Sequence, residues 1–382
     1  MYVSSLIQEQ AARGLRVGAF VLSGTRVAHE LEKAGIQTYH ALRSSHFYPK
    51  DISKLRGIIK QEQYDVVHSH TSKDVWPGSL SVLGSRVAHV SSVYVVAMPK
   101  RDPHHWFIYR RVDALVSSST YVNWRLGREL PIANKKIHLV RYGRNLDRLA
   151  TSDVIRERTR QQLSLSDGQL AFGIIGRIEE TKGVHEFAQS LLSLEPSVRE
   201  RVKYFVVGSR CDENHNACNQ WLVDFQQRPE IRDHLEILPW SSDPVPYYNA
   251  LDALVLASYR EMYSLSVLEA MAMSLPVIGT DSEGTTEQIG ANKRGLLVEP
   301  RSARSIAEAV TKYVADPLLM KIHGDAGNEW VRREHCTNRS MESLEGVYAQ
   351  AIARRVPAAR KVETTGPKVA PIRKNALLLP NS

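Results

Sequence analysis

The sequence predicts an α/β protein built from two doubly wound, Rossmann-like domains facing a cleft. Three observations carry this expectation. Short β-branched runs alternate with amphipathic stretches along most of the chain, which is the pattern of parallel sheets. A length of 382 residues exceeds one ordinary core and suits two domains. A hydrophobic content of 43% with 24% charged residues is that of a soluble globular chain.

The chain opens on a helix, "SSLIQEQAARG", with Gly14 as its stop. Strands are expected at 15–23, 64–70, 88–96, 112–119 and 136–143. A doubly wound domain normally begins with the strand at the centre of its sheet. The first domain, 1–150, is therefore expected to lack that strand, leaving two neighbours with unpaired backbone groups. A link near 145–168 leads to strands at 169–177, 202–209, 235–240, 252–258, 275–281 and 295–299. Between them, "GVHEFAQSLLSL" and "ARSIAEAVTKYV" have helical amphipathic spacing. The second domain is expected over 151–325, followed over 326–355 by C-terminal helices able to pack back on the first. Residues 356–382 are rich in proline and cations without periodicity and read as a basic, disordered tail.

Net charge is +9 and uneven. Residues 1–150 carry 22 Lys/Arg against 11 Asp/Glu, a net of +11, and residues 151–382 carry 28 against 30, a net of −2. The basic half points to an anionic partner such as a membrane surface, and no nucleic-acid motif accompanies it. No apolar run is long enough to span a bilayer, and "MYVSSLIQEQ" lacks the regions of a signal peptide. Cys211, Cys218 and Cys336 supply no disulfide framework, which fits a cytoplasmic location. "CDENHNAC" departs from structural zinc spacing and reads as a loop, so no metal site is expected.

Two stretches carry the chemistry. In "IIGRIEETKG" a strand ends at Gly176, and Arg177 and Lys182 follow before a helix. Cations at the carboxyl end of a parallel strand sit where such sheets take ligands, and both suit phosphate. In "EMYSLSVLEAM" Glu261 precedes a helix whose open N–H groups attract anions, and Glu269 lies about one turn inside it. The two carboxylates fit either a clamp on hydroxyls or a glycosidase pair, which needs about 5–5.5 Å. The neighbouring cations favour the clamp, because a glycosidase has no diphosphate to hold. "DSEGTTEQIG", with Gly284, reads as a structural turn.

In order, "GRIEETKG", "DPVPYYNALDALVLAS", "EMYSLSVLEAMAMSLPVIGTDSEGTTEQI" and "RGLLVEP" resemble blocks of the retaining family-4 glycosyltransferases of GT-B fold. "VVHSHTSKD" and "PKRDPHHWFIYRRVDALVSSS" resemble bacterial members that build lipopolysaccharide and other surface glycans. The resemblance implies that Arg177 and Lys182 hold the diphosphate of a nucleotide-sugar. It also implies Glu269 on the ribose, Glu261 on the transferred sugar, and amides around Ser264, Leu265 and Ser266 on the phosphates. Main-chain groups near Trp240 would meet the base, with Gly176 beside the donor. The implied acceptor is lipid-linked or an oligosaccharide, and no metal or other cofactor is required. The chain departs from the family's pattern in the absent first strand with its glycine-rich loop, and in Ser264 where glycine is usual. "VVAMPKR" also stands where many members place a histidine, so no catalytic histidine is carried over. Lys100, Arg101 and His70 are the candidates on the acceptor side. The expected setting is the inner face of the plasma membrane, as a peripheral protein. Two rivals remain: a nucleotide-sugar epimerase or hydrolase of the same fold, and a non-catalytic donor-binding remnant.

Overall fold

The computed structural model describes residues 2–42, 49–95, 99, 101–208, 217–355 and 375–379. The chain folds into two compact units, Met1–Gly143 with Asn338–Ser382 and, between those segments, Arg144–Thr337.

In the first unit the order is α1 (Tyr2–Ala12), β1 (Arg16–Leu22), α2 (Arg26–Lys33), β2 (Gln37–Ala41), α3 (Pro49–Glu62) and β3 (Val66–Ser69). It continues with α4 (Val75–Ser81), β4 (Ala88–Val93), α5 (Pro103–Tyr109), β5 (Ala114–Ser117), α6 (Thr120–Glu129) and β6 (Ile137–Leu139). The second unit runs through α7 (Asp153–Gln162), β7 (Leu170–Ile175), α8 (Val184–Ser190), α9 (Pro196–Arg199), β8 (Val202–Gly208), α10 (Ala217–Gln226) and β9 (Leu235–Pro239). Then come α11 (Val245–Ala250), β10 (Ala253–Leu256), α12 (Leu265–Ala272), β11 (Val277–Thr280), α13 (Glu283–Ile289), β12 (Gly295–Val298), α14 (Ala303–Ala315) and α15 (Pro317–Glu334). The chain returns to the first unit with α16 (Thr337–Arg355) and β13 (Asn375–Leu379).

Among the described residues, the second unit has a six-stranded sheet ordered β12-β11-β10-β7-β8-β9, and all its pairs are parallel. The order reverses between β7 and β10, the kind of switch point at which such sheets bind ligands. Its core joins Phe172, Val206 and Val255 of the strands to Phe187 of α8 and Tyr313 of α14.

Among the described residues, the first unit has a seven-stranded sheet ordered β2-β1-β13-β3-β4-β5-β6. The expected vacancy at its centre is filled, and this corrects the reading of 356–382 as a disordered tail. β13 lies parallel to both neighbours, with Arg16 opposite Asn375 on one side and Val66 opposite Ala376 on the other. Ala376 and Leu378 enter the core with α1, α2 and α16, while Leu377 enters the opposite core with Leu55, Ile58 and Val82. Both faces of the strand are therefore dry, and its apolar run matches the buried middle of a parallel sheet. Residues 356–374 and 380–382 lie outside the described residues, as do Lys100 and most of the "CDENHNAC" loop.

The domain boundaries also move. The first unit ends at Gly143 rather than 150, and the expected helical block 326–355 divides between the units. α15 belongs to the second unit, whereas α16 packs on the first through Leu344, Val347 and Tyr348. The Tyr348 hydroxyl receives the Gln10 amide at 2.9 Å, and Arg355 binds Asp113 at 2.8 Å. β2, missing from the expected strands, is an edge strand with half-buried side chains and little apolar alternation. Among the described residues no helix is long and apolar enough to cross a membrane.

Candidate active site

The site in the second unit assembles at the carboxyl ends of β7 and β10, which are neighbours in the sheet. After β7 the chain makes a short turn, Glu180–Lys182, and enters α8 through Gly183 in a left-handed conformation (φ 67°). A Cβ at Gly183 would stand 2.0 Å from the Ala257 carbonyl oxygen, so only glycine lets this turn close on the end of β10. That approach sets the Lys182 ammonium 2.7 Å from the Glu261 carboxylate. The Glu261 loop is fixed from behind by its own carbonyl, which accepts the Gly284 N–H at 3.0 Å. Gly284, expected in a turn before the helix, lies in the first turn of α13 and supports the Glu261 loop from there.

Glu269 projects from α12 and is held twice. Arg144 pairs with one carboxylate oxygen, and the Tyr248 hydroxyl donates to the other at 2.9 Å. Tyr248 is wholly buried; burial, and then the Glu269 carboxylate, push its phenol far above the ordinary range, so it remains a donor. Tyr263 anchors the loop into α12 through a 3.0 Å bond to buried His335. Helix geometry leaves the first N–H groups of α12, at Leu265 and Ser266, without intrahelical acceptors.

Of the expected donor residues, Lys182 and Glu261 are joined directly, while the others stand in separate arrangements. Arg177 pairs with Glu179 at 2.7 Å, its side chain 65% exposed. Ser264 requires a correction. Its N–H, expected to cradle phosphate, donates to the Gln288 side chain at 2.9 Å, and Gln288 returns a 2.8 Å bond to the Ser264 carbonyl. The Ser264 hydroxyl instead meets that of Ser266 at 2.9 Å. Gly176 donates its N–H to Val207, and Trp240 follows β9 as a partly exposed ring. Sequence reasoning missed Arg144, Tyr248, Gln288 and His335, because each acts through a partner far along the chain. Tyr248 and Gln288 lay inside the blocks "DPVPYYNALDALVLAS" and "EMYSLSVLEAMAMSLPVIGTDSEGTTEQI", but nothing local in either block marks the bonds they make.

On the first unit, His70 is likewise corrected. It is buried, with Nδ1 2.7 Å from the Tyr94 hydroxyl and Nε2 enclosed without a partner. Burial pushes its pKa down to about 3, so it is neutral and offers an acceptor no surface. Its ring packs on His68, which bonds Tyr348 at 2.7 Å and Ser92 at 2.8 Å. Arg101 is exposed just before α5. Among the described residues no group of three or more His, Cys, Asp or Glu could hold a metal ion.

Comparison with known proteins gives this geometry its family. Residues 1–148 match the model "Glycosyltransferase Family 4", and residues 155–330 match "Glycosyl transferases group 1". The chain belongs to the family-4 glycosyltransferases. This family-4 chain is 29% identical over 184 residues to the capsular polysaccharide biosynthesis glycosyltransferase CapM of Staphylococcus aureus. That match covers 48% of the chain and 47% of CapM, about half of each. It is 25% identical to the Bacillus subtilis teichuronic acid biosynthesis glycosyltransferase TuaC, described as putative, covering 77% of the chain and 73% of that relative. An Escherichia coli UDP-Gal:alpha-D-GlcNAc-diphosphoundecaprenol alpha-1,3-galactosyltransferase is 22% identical, covering 79% and 80%. Among solved structures, a glycosyltransferase from Rickettsia africae has a TM-score of 0.81 at 20% identity, covering 92% of this chain and 94% of that one. Anabaena HepE in complex with UDP-glucose has a TM-score of 0.77 at 15% identity, covering 91% and 95%. These likenesses establish the GT-B fold with its two Rossmann-like domains.

Proposed function

We propose that this family-4 chain is a retaining glycosyltransferase of surface-glycan synthesis. It moves a sugar from a nucleotide-diphosphate donor to a lipid-linked or oligosaccharide acceptor. The observation that carries the reading is the Lys182–Glu261 pair, a cation and an acid 2.7 Å apart at the carboxyl edge of two adjacent strands. Without a donor the two neutralise each other. A nucleotide-sugar offers each a better partner, with diphosphate oxygens for Lys182 and sugar hydroxyls for Glu261. Support for a donor of this class also comes from the relatives, since HepE binds UDP-glucose and the E. coli enzyme is named for UDP-Gal. That enzyme's diphosphoundecaprenol acceptor favours a lipid-linked one here.

Lys182, Arg177 turning from Glu179, and the open amides of Leu265 and Ser266 balance the charge that grows on the departing diphosphate. This set of donors supports transfer without a required metal. Glu269 keeps lone pairs for the ribose hydroxyls, because Arg144 and Tyr248 occupy only one direction on each oxygen. Retention follows if the acceptor hydroxyl attacks from the face that the diphosphate leaves. The bond from acceptor oxygen to the anomeric carbon then forms as the carbon–phosphate-oxygen bond breaks, and the hydroxyl proton passes to the leaving phosphate.

The test is a thermal-shift screen of nucleotide-sugars, beginning with UDP-sugars, on the native chain and on Lys182→Ala. The native chain should be stabilised and the variant not; an equal shift in both removes Lys182 from the site. NMR of the product should show the donor's anomeric configuration. Rapid sugar release without acceptor would instead identify a hydrolase.

A further inference from the structure

The loop after β10 is anchored at three consecutive residues, and the anchors run in different directions. Tyr259 turns to the β7 side, where its N–H donates to the Thr181 carbonyl at 3.0 Å and its hydroxyl to Glu186 at 2.8 Å. Glu261 takes the Lys182 ammonium at 2.7 Å. Arg260, between them, turns to the β11 side, where its Nε and Nη2 donate to one oxygen of Glu283 at 2.9 and 2.7 Å.

Glu283 occupies an unusual place. It opens α13 with φ 45°, in the left-handed region that suits glycine, whereas helical residues lie near about −63°. Gly284 does not share that conformation and is needed for another reason, the close approach of its backbone to the Met262 carbonyl. The Glu283 side chain is 12% exposed and its Arg260 partner 64%. An ion pair with one member so exposed adds little stability, and the strained backbone subtracts from it. Stability therefore does not account for a glutamate here, and strain kept at the ligand edge of a sheet is a mark of function.

The function follows from the neighbour of Arg260 in the chain. In the empty site Lys182 covers the Glu261 carboxylate. A diphosphate draws Lys182 away, and Glu261 must then keep its lone pairs for sugar hydroxyls. A loose guanidinium one residue away would take them, because an arginine fork binds a carboxylate more strongly than a neutral hydroxyl does. We infer that Glu283 is a positioning residue for the transferred sugar, holding Arg260 off Glu261 so that this carboxylate stays open to sugar hydroxyls once the donor is bound. The inference rests on the donor reading above and adds the residue that keeps its sugar contact free.

The experiment is calorimetric titration of the full chain with UDP-glucose and with UDP, which lacks the sugar, joined to a crystal structure of Glu283→Gly. Glycine suits φ 45°, so this variant should keep the native thermal midpoint while releasing Arg260. It should bind UDP-glucose about tenfold more weakly, the loss expected for a charged hydrogen bond, and bind UDP as the native chain does. Arg260→Gln should bind both as the native chain does, and Glu283→Gly with Arg260→Gln should recover the native affinity for UDP-glucose. The crystal structure should show Arg260 on Glu261. Equal loss of both nucleotides with a lower thermal midpoint would make Glu283 a structural residue only, and a double variant as weak as Glu283→Gly would clear Arg260 of blocking the site. Either overturns the inference, as does Arg260 still turned from Glu261 in the crystal, whatever the nucleotides do. A native chain that binds neither nucleotide would instead remove the donor reading itself.

Discussion

Glu269 is held from two sides, and the two holds differ in kind. Tyr248 is a neutral donor inside the core, whereas Arg144 is a charged partner with its side chain 22% exposed. Arg144→Ala should therefore leave Glu269 charged and half-satisfied, costing about 1–3 kcal/mol, seen as a lower thermal midpoint of the second unit. The buried histidines give a pH signature in the first unit. Burial depresses His70 and His89 to about 3, and pushes His68 well below its ordinary 6.5. The unfolded chain then binds more protons than the folded one between about pH 6.5 and pH 3. Stability should be full above that window and fall as pH drops through it. Each histidine contributes up to about 1.4 kcal/mol per pH unit. Denaturant midpoints across pH 7 to 4 check this, and His70→Gln should flatten the slope. Lys182 and Glu261 were legible because a cation after one strand and an acid after another share an edge of the sheet. The loss of the Ser264 amide to Gln288 was not legible, since nothing local marks a glutamine 24 positions onward as its partner.

Among the elements, β13 carries the largest consequence. Leu377 is fully buried between two strands, so Leu377→Ala should cost about 2–5 kcal/mol, and removal of residues 375–382 should unfold the first unit. Calorimetry should then show the transition of the second unit alone; two intact transitions would mean that the sheet closes without the strand. Gly284→Ala tests the support of the Glu261 loop. Its Cβ would meet the Met262 carbonyl oxygen at 1.8 Å, so the backbone must shift, and the nucleotide-sugar thermal shift should weaken. Most strands were readable from short β-branched runs, and so was the vacancy at the centre of the first sheet. Its occupant was hidden because "NALLL" is short and flanked by proline and lysine. Its pairing with Arg16–Ala19 is also far too distant in sequence for any periodicity to reveal.

At the scale of the molecule, the two units differ in how the chain supplies them. Residues 144–337 form one continuous stretch, and the first unit is closed by segments from either side of it. The continuous stretch alone should fold and reproduce the donor-induced stabilisation, about 2.7 kcal/mol at a hundredfold the dissociation constant. A shift confined to the whole chain would mean that the first unit supplies essential donor contacts. The excess positive charge of residues 1–150 was plain from counting residues, whereas the pocket that joins Arg110 and Arg111 to Arg354 and Arg355 required α16 to return. The late arrival of β13 also sets an order during synthesis. Ribosomes usually release domains to fold from the amino end, but here the middle of the first sheet emerges only after the entire second unit. The earlier-made half must wait with two strand edges bare, so nascent chains stalled before residue 375 should be captured by chaperones and cut by protease within residues 1–143.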